Sequence, residues 1–193
     1  MEKRKGLFVD TDCLSCFLYT NKGSLLQRLF PEYDILVPHA VSTEIEKNKK
    51  YASTSIKKKT IINSYNHARK SCYFKIMDDF DSESDEFYMV MQLNGKGLDG
   101  GPSIGMGEAQ VIAAAYYNRG VIASNNINDV FYYTNKYKIN NWTASDILYK
   151  AYKDCIEDEL TLEAMWLKLV AAGFKMPTDT FKKFKERKEK RHA

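Results

Sequence analysis

Carboxylates and amides recur in this chain directly after short apolar runs. Asp10 follows Leu7-Phe8-Val9. Glu44 comes just after Ile35-Leu36-Val37-Pro38, in the first turns of a helical pattern. Glu108 opens the helix that leaves a Gly-rich loop. Ser124-Asn125-Asn126, and then Asp129, follow Val121-Ile122-Ala123. In open parallel sheets, ligands bind in the crevice outside the carboxyl ends of the strands. A carboxylate there is costly to bury unpaired. Several together raise one another's pKa unless a cation neutralises them. Hard divalent cations take oxygen ligands, and magnesium holds one or two carboxylates, keeps waters and adds a substrate phosphate. Such a site activates a water for in-line attack at phosphorus and stabilises the leaving oxygen. The residues alone therefore point to metal-dependent phosphodiester hydrolysis. Each has a plainer reading. Asp10 could cap a helix, and Glu44 and Glu108 could be first-turn acids favoured by the helix dipole. That reading suits any one of them better than all of them in this order.

These residues need elements to position them. Leu7–Val9, Ile35–Val37, Cys72–Met77 and Val121–Ala123 read as buried strands, with a minor strand near Tyr137–Ile139. Thr11 or Asp12 is expected to cap the first helix, whose inner stripe is Leu14, Phe17 and Leu18; Gly23 breaks it. A short helical piece, 24–30, stops before Pro31. A long helical region over 40–70 breaks near Ser53. An acidic run opens the next helix, with Phe87, Val90, Met91 and Leu93 as its apolar side. Six of the chain's 10 glycines lie between Gly95 and Gly107. This loop lacks GxxxxGK[ST], so it reads as a flexible approach to the next helix rather than a phosphate cradle. The helix it leads into, Gly107–Tyr116, is rich in good helix formers. Further helices are expected over 128–135, over 144–155 (capped by Thr143 or Ser145), over 161–172 up to Gly173, and from Thr178 onward. Strands alternating with helices predict an α/β fold, a three-layer α/β/α sandwich around a central parallel sheet. Residues 1–140 would form that domain, and 141–193 a helical C-terminal extension with a basic tail.

The 193 residues suit one domain with an appendage. No apolar run approaches the ~20 residues of a membrane span. The opening Met1-Glu2-Lys3-Arg4-Lys5-Gly6 leads into too short and polar a stretch for a signal peptide. No membrane partner and a cytoplasmic location are therefore expected. The formal charge is +4, yet Lys182–Ala193 holds seven Lys/Arg and two Glu, which leaves the other 181 residues at −1. The basic character thus belongs to the tail, either a phosphate-contacting end or a solvated helix end. Lys47, Lys49, Lys50, Lys57, Lys58 and Lys59 form a second basic stretch, and six carboxylates between Asp78 and Glu86 form an acidic one. Both read as exposed faces. Cys13, Cys16, Cys72 and Cys155 are expected to be thiols. Cys13-x-x-Cys16 has no second CxxC or His pair to make a zinc site, and reads as small buried side chains on the first helix. A thiol oxidoreductase is the weakest reading. His39, His67 and His192 are isolated. Trp142 and Trp166 read as core anchors of the helical extension.

With these motifs set out, the chain resembles the PIN domain family, metal-dependent ribonucleases that include VapC-type toxins. Leu7-Phe8-Val9-Asp10-Thr11-Asp12-Cys13-Leu14 is similar to the family's opening motif. Val37-Pro38-His39-Ala40-Val41-Ser42-Thr43-Glu44-Ile45 is similar to its second acidic motif. Gly105-Met106-Gly107-Glu108-Ala109 resembles the third, and Val121–Asn126 with Asp129 the fourth. The likeness spans roughly residues 6–140. More loosely, Trp142–Leu148 and Leu169–Pro177 resemble the helical ending of one bacterial and archaeal subgroup. The resemblance implies Asp10, Glu44 and Glu108 as the acidic metal site for Mg2+ or Mn2+, with Asp12 outside it. Many members carry Asp where this chain has Asn125 or Asn126. An amide oxygen ligates a hard cation without adding charge, so the site would prefer manganese or depend on Asp129.

The function expected by resemblance is an endoribonuclease of the kind that serves as the toxin of a toxin–antitoxin pair, with RNA and an antitoxin protein as partners and a homodimer as its assembly. Lys47, Lys49, Lys50 and Ser124 would contact the RNA, with salt-dependent binding. The competing expectation is a PIN-fold module that binds RNA or a protein without cleaving, motivated by Asn125 and Asn126.

Overall fold

The computed structural model describes residues 5–191. Strands β1 (Lys5–Val9), β2 (Tyr33–Val37), β3 (Lys75–Ile76), β4 (Val121–Ala123) and β5 (Asn141–Trp142) form one sheet in the order β3-β2-β1-β4-β5, every neighbouring pair parallel. The helices are α1 (Thr11–Tyr19), α2 (Leu25–Leu29), α3 (His39–Lys47), α4 (Ile56–Lys70), α5 (Asp85–Gly95), α6 (Met106–Tyr117), α7 (Ile127–Lys136), α8 (Ala144–Lys153), α9 (Glu159–Ala171) and α10 (Phe181–Lys190), with a 3₁₀ turn at Asn48–Tyr51. This is the expected three-layer arrangement, a five-stranded parallel sheet flanked by helices. Among the described residues, no helix is long and apolar enough to cross a membrane.

The strand order fixes where ligands go. From β1 at the centre the chain works outward through β2 to β3, then returns to place β4 on the other side of β1. The carboxyl ends of β1 and β4 therefore flank the point where the winding reverses, the crevice such sheets use for binding. Leu7, Phe8, Val9, Ile122 and Ala123 are essentially fully buried. Their continuous apolar runs reflect strands covered on both faces. α6 packs on β1 and β4. Its Ala109, Val111, Ile112, Ala113, Ala114 and Ala115 are buried on every side, and small alanines permit that close approach.

Several expectations need correction. Asp10, not Thr11 or Asp12, is the N-cap of α1. The third strand is only Lys75–Ile76, because Cys72 turns the chain with φ +55° and leaves Tyr73–Phe74 outside the ladder. The minor strand is not at Tyr137–Ile139: Tyr137 caps α7, Lys138 takes φ +57°, and the strand falls at Asn141–Trp142. Trp142 thus sits in the sheet edge, its ring 5.5 Å from Phe30, rather than in the helical extension. On α5 the buried residues are Met89, Val90 and Leu93, with Met91 exposed. The Gly-rich loop is tied down: Tyr133 Oη donates to Pro102 O (2.6 Å), Leu98 N donates to Tyr133 Oη (3.0 Å), and Ser103 Oγ donates to Asn94 O (2.7 Å).

Other expectations hold. Thr143 caps α8 in a capping box with Asp146. Trp166 is wholly buried, donates from Nε1 to Thr178 O (2.8 Å), and packs on Phe181 and Phe184 at 5.7 and 5.1 Å. The basic tail is a docked helix: Lys185 pairs with Glu159 and Lys188 with Asp146. Cys13 and Cys16 are buried thiols, and burial pushes Cys16 up to about 12, so neither presents a reactive thiolate. His192 lies outside the described residues.

Candidate functional site

Asp10 is the centre of the site. It lies 3% exposed at the carboxyl end of the central strand. Its backbone N donates to Ala123 O (3.0 Å), continuing the β1–β4 ladder by one step. One carboxylate oxygen accepts from Cys13 N (2.7 Å) and so caps α1; the other accepts from Ser124 Oγ. Burial lifts its pKa to about 7, and the charges of Asp12 and Glu108 push the same way. The two hydrogen bonds favour the ionised form and oppose that rise without cancelling it.

Three other carboxylates lie at the same end of the sheet: Glu44 has a donor of its own, and Glu108 and Asp129 share one. Thr11 Oγ1 donates to Glu44 Oε2 (2.6 Å), linking α1 to α3. Asn126 Nδ2 donates both to Glu108 Oε1 (3.1 Å) and to Asp129, joining α6 to α7. Asn126 N in turn donates to Ser124 Oγ (3.2 Å). The start of α6 approaches α1 and α3 closely: a Cβ on Gly107 would lie 3.8 Å from Glu44 Oε2 and 3.9 Å from Thr11 Oγ1.

Thr11, Asp12, Glu44, Glu108 and Lys47 line a concavity of about 640 Å³, whose far wall is apolar, with Phe87, Val90, Met91 and Met106. The exposed side chains of Met91 and Met106 thus contribute to this groove. At its edge His39 Nδ1 sits 2.9 Å from Asp79 Oδ2. Gln110 Nε2 donates to the other Asp79 oxygen (3.0 Å), and Gln110 Oε1 accepts from Ala40 N (2.8 Å). A second concavity, of about 450 Å³, shares Thr11, Asp12 and Glu44 with the first.

The structure gathers Asp10, Glu44, Glu108, Asn126 and Asp129 at one end of the sheet. It assigns other expected residues differently. Asn125 spends its amide on the fold: Oδ1 accepts from Ala144 N at the start of α8 (2.8 Å), and Nδ2 points at Cys16 Sγ (3.4 Å). Its oxygen is therefore not aimed at a metal. Ser124 is 0% exposed and cannot touch RNA; it orients Asp10 instead. Of the expected cations, Lys47 lines the groove, while Lys49 leans towards Glu46 and Lys50 lies over the Tyr51 ring. Sequence reasoning passed over Thr11, treated only as a cap, and Gln110, hidden in an Ala-rich helix. It also passed over the His39–Asp79 pair, because Asp79 stood inside a run read as a solvated face.

The donor chemistry suits a hard cation: Asp10, Glu44, Glu108 and Asp129 offer carboxylate oxygens. Among the described residues, no three His, Cys, Asp or Glu side chains lie close enough to form a ready ligand cluster. Asp10 and Glu44 are turned to separate donors, and Glu108 and Asp129 to the shared amide of Asn126. Magnesium needs only one or two carboxylates directly, and Glu44 and Glu108 share the groove wall. Fold and site together define an α/β/α protein with an acidic crevice at the switch point of a parallel sheet. No protein-family model matches the chain, and no curated protein matches it.

Proposed function

We propose that the chain is a metal-dependent endoribonuclease of the PIN type, hydrolysing RNA phosphodiester bonds in the groove beside Asp10. The observation that carries this reading is Asp10 itself. It is a buried carboxylate at the switch point, lifted to about 7, with Glu44 and Glu108 on the neighbouring groove and Asp129 tied to Glu108 through Asn126. Such a group gains most from a nearby cation. Asp10, Glu44 and Glu108 would hold magnesium or manganese, which supplies Lewis-acid stabilisation of the phosphoryl oxygens and an acidified water.

The chain's own residues do the rest. Ser124 fixes the Asp10 carboxylate in one orientation, and Thr11 does the same for Glu44. Asn126 holds Glu108 and Asp129 together without adding a charge. Lys47 supplies a cation on the groove wall for a substrate phosphate. The apolar wall of Phe87, Met91 and Met106 offers a stacking surface for a base.

The test is cleavage of mixed RNA with magnesium, manganese or EDTA, comparing wild type with Asp10→Asn and Glu108→Gln. Metal-dependent cleavage lost in both variants supports the reading. No cleavage by folded wild type with either metal favours a second reading, a module that binds RNA without cutting it. That reading is motivated by the amide at Asn126 and by the absence of a ready ligand cluster among the described residues.

A further inference from the structure

The second concavity contains features that the acidic site does not use. It lies between α1, the start of α4 and the α9–α10 connection. Its acidic side is the wall it shares with the catalytic groove, Asp12 and Glu44. Its opposite side carries Lys57, Lys58 and Lys175. Ser15, on α1, lines it while only 8% exposed, and its hydroxyl makes no hydrogen bond to any described residue. Among the described residues no buried side-chain polar atom lacks a partner, so the Ser15 hydroxyl is accessible, and it opens on the concavity that Ser15 lines. The first turn of α4 also opens here. Ser55 Oγ accepts from Lys58 N (3.3 Å), leaving the Ile56 and Lys57 amides without helical partners at the positive end of a 15-residue helix.

The C-terminal extension is fastened to this place. Lys57 Nζ donates to Ala172 O (3.0 Å) at the end of α9 and lies 3.6 Å from the Phe174 ring centroid. The Phe174 ring packs on Tyr19 at 5.6 Å. Gly173, with φ +74°, makes the left-handed turn between these two anchors. The turn sets Lys175 on the rim. Lys57 is thus a clamp; Lys58 Nζ lies over the Tyr51 ring, 4.0 Å from its centroid, with its ammonium protons still able to reach a ligand, and Lys175 is the second lysine of the concavity.

We infer that this concavity is a subsite for a backbone phosphate of a polynucleotide strand that runs out of the acidic groove, with the α9–α10 connection forming part of the substrate path. The inference rests on the reading of the acidic site as one that takes RNA. Ser15 Oγ and the α4 amides donate to the phosphate, and Lys58 and Lys175 neutralise it. The tail helix α10 does not line this path, so its charges are not needed for binding.

The test is anisotropy of a short fluorescein-labelled single-stranded RNA, read against KCl concentration in EDTA and again in calcium. Wild type, Lys175→Ala, Lys175→Arg, Lys58→Ala and, as a control outside the concavity, Lys190→Ala are compared. Lys175→Ala should weaken binding about three- to tenfold at low salt and reduce the log–log salt slope by about 0.7, one phosphate contact on a single strand. Lys175→Arg should restore both, and Lys190→Ala should match wild type. In magnesium, Lys175→Ala should raise KM with kcat unchanged. An unaltered affinity and slope in Lys175→Ala and Lys58→Ala overturn the inference, as does no RNA binding by folded wild type in either condition. The two readings can fail separately. RNA that binds in this lysine-dependent way but is never cut removes hydrolysis and keeps the subsite. RNA that is cut equally well by Lys175→Ala removes the subsite and keeps hydrolysis.

Discussion

Ser124 Oγ donates to the Asp10 carboxylate across the β1–β4 pair, joining residues 114 positions apart in the chain. The bond is made where both strands end and the sheet reverses its winding, and it is wholly buried. It orients Asp10 without neutralising it, so the carboxylate keeps much of its desolvation penalty.

That penalty makes stability depend on pH. The folded pKa is about 7 against an ordinary 3.8. A raised pKa means that the folded state holds the proton more tightly than the unfolded chain. This contribution is complete below pH 4 and is lost as pH rises through 7, at about 1.4 kcal/mol per unit of separation. Asp10→Asn keeps a cap for α1, because its amide oxygen still accepts from Cys13 N, and removes the charge. The variant should lose activity yet be more stable than wild type at pH 8, by about 1–3 kcal/mol, with little difference at pH 4. Urea midpoints at the two pH values measure this. Equal destabilisation at both would show that Asp10 is not a strained charge.

Metal binding should carry the same signature with the sign reversed. A cation takes the ionised carboxylate, so binding must expel whatever proton Asp10 holds. Manganese affinity should fall by up to tenfold per pH unit below about 7 and level off above it. Calorimetry at pH 6 in buffers of different ionisation enthalpy should register proton release. A pH-independent affinity would move the metal away from Asp10.

Gly105 separates structure from function at Glu108. A Cβ there would lie 2.4 Å from Glu108 Oε2. The obstacle is the far end of a flexible side chain, and Gly105 has φ −62°, which suits alanine. Gly105→Ala should therefore change stability by less than about 1 kcal/mol. It should nonetheless displace the Glu108 carboxylate from Asn126 and cut kcat about tenfold or more, since misplacement by about 1 Å is enough to cost activity. Thermal melts and steady-state kinetics on the same preparation test it. Unaltered kinetics would mean that Glu108 works from another rotamer.

What the sequence could and could not reveal follows from how each residue is held. Leu7–Val9 and Val121–Ala123 were legible because strands buried on both faces leave unbroken apolar runs, and Asp10 was legible because it ends one of them. The expected third strand was too long and the minor strand misplaced because their limits are set by the left-handed turns at Cys72 and Lys138, which a pattern of apolar residues does not encode. Asn125 and Asn126 are adjacent and chemically identical, yet one anchors α8 and the other bridges two carboxylates. Only the direction of the chain between β4 and α7 distinguishes them. Lys175 was out of reach because it depends on Lys57 clamping a helix end 115 residues away.

Asn126 is the residue on which the choice between nuclease and binding module turns. Its Nδ2 donates to Glu108 and to Asp129, so one amide pacifies two carboxylates in the absence of metal. Asn126→Asp removes both donors and adds a third negative charge. Like charges this close raise one another's pKa and cost stability. The metal-free variant should be less stable than wild type at pH 7.5, by about 1 kcal/mol, because half-buried carboxylates lose their donor and repel one another. Manganese should reverse the order, because three carboxylates bind a hard cation more tightly than two. The variant's melting temperature should therefore rise more with manganese than that of wild type, and its Kd should fall about tenfold or more. Cleavage that rises with affinity would show that the amide restrains a working site. A variant destabilised in EDTA and unresponsive to manganese would show that Glu108 and Asp129 form a structural pair, and would favour the binding module.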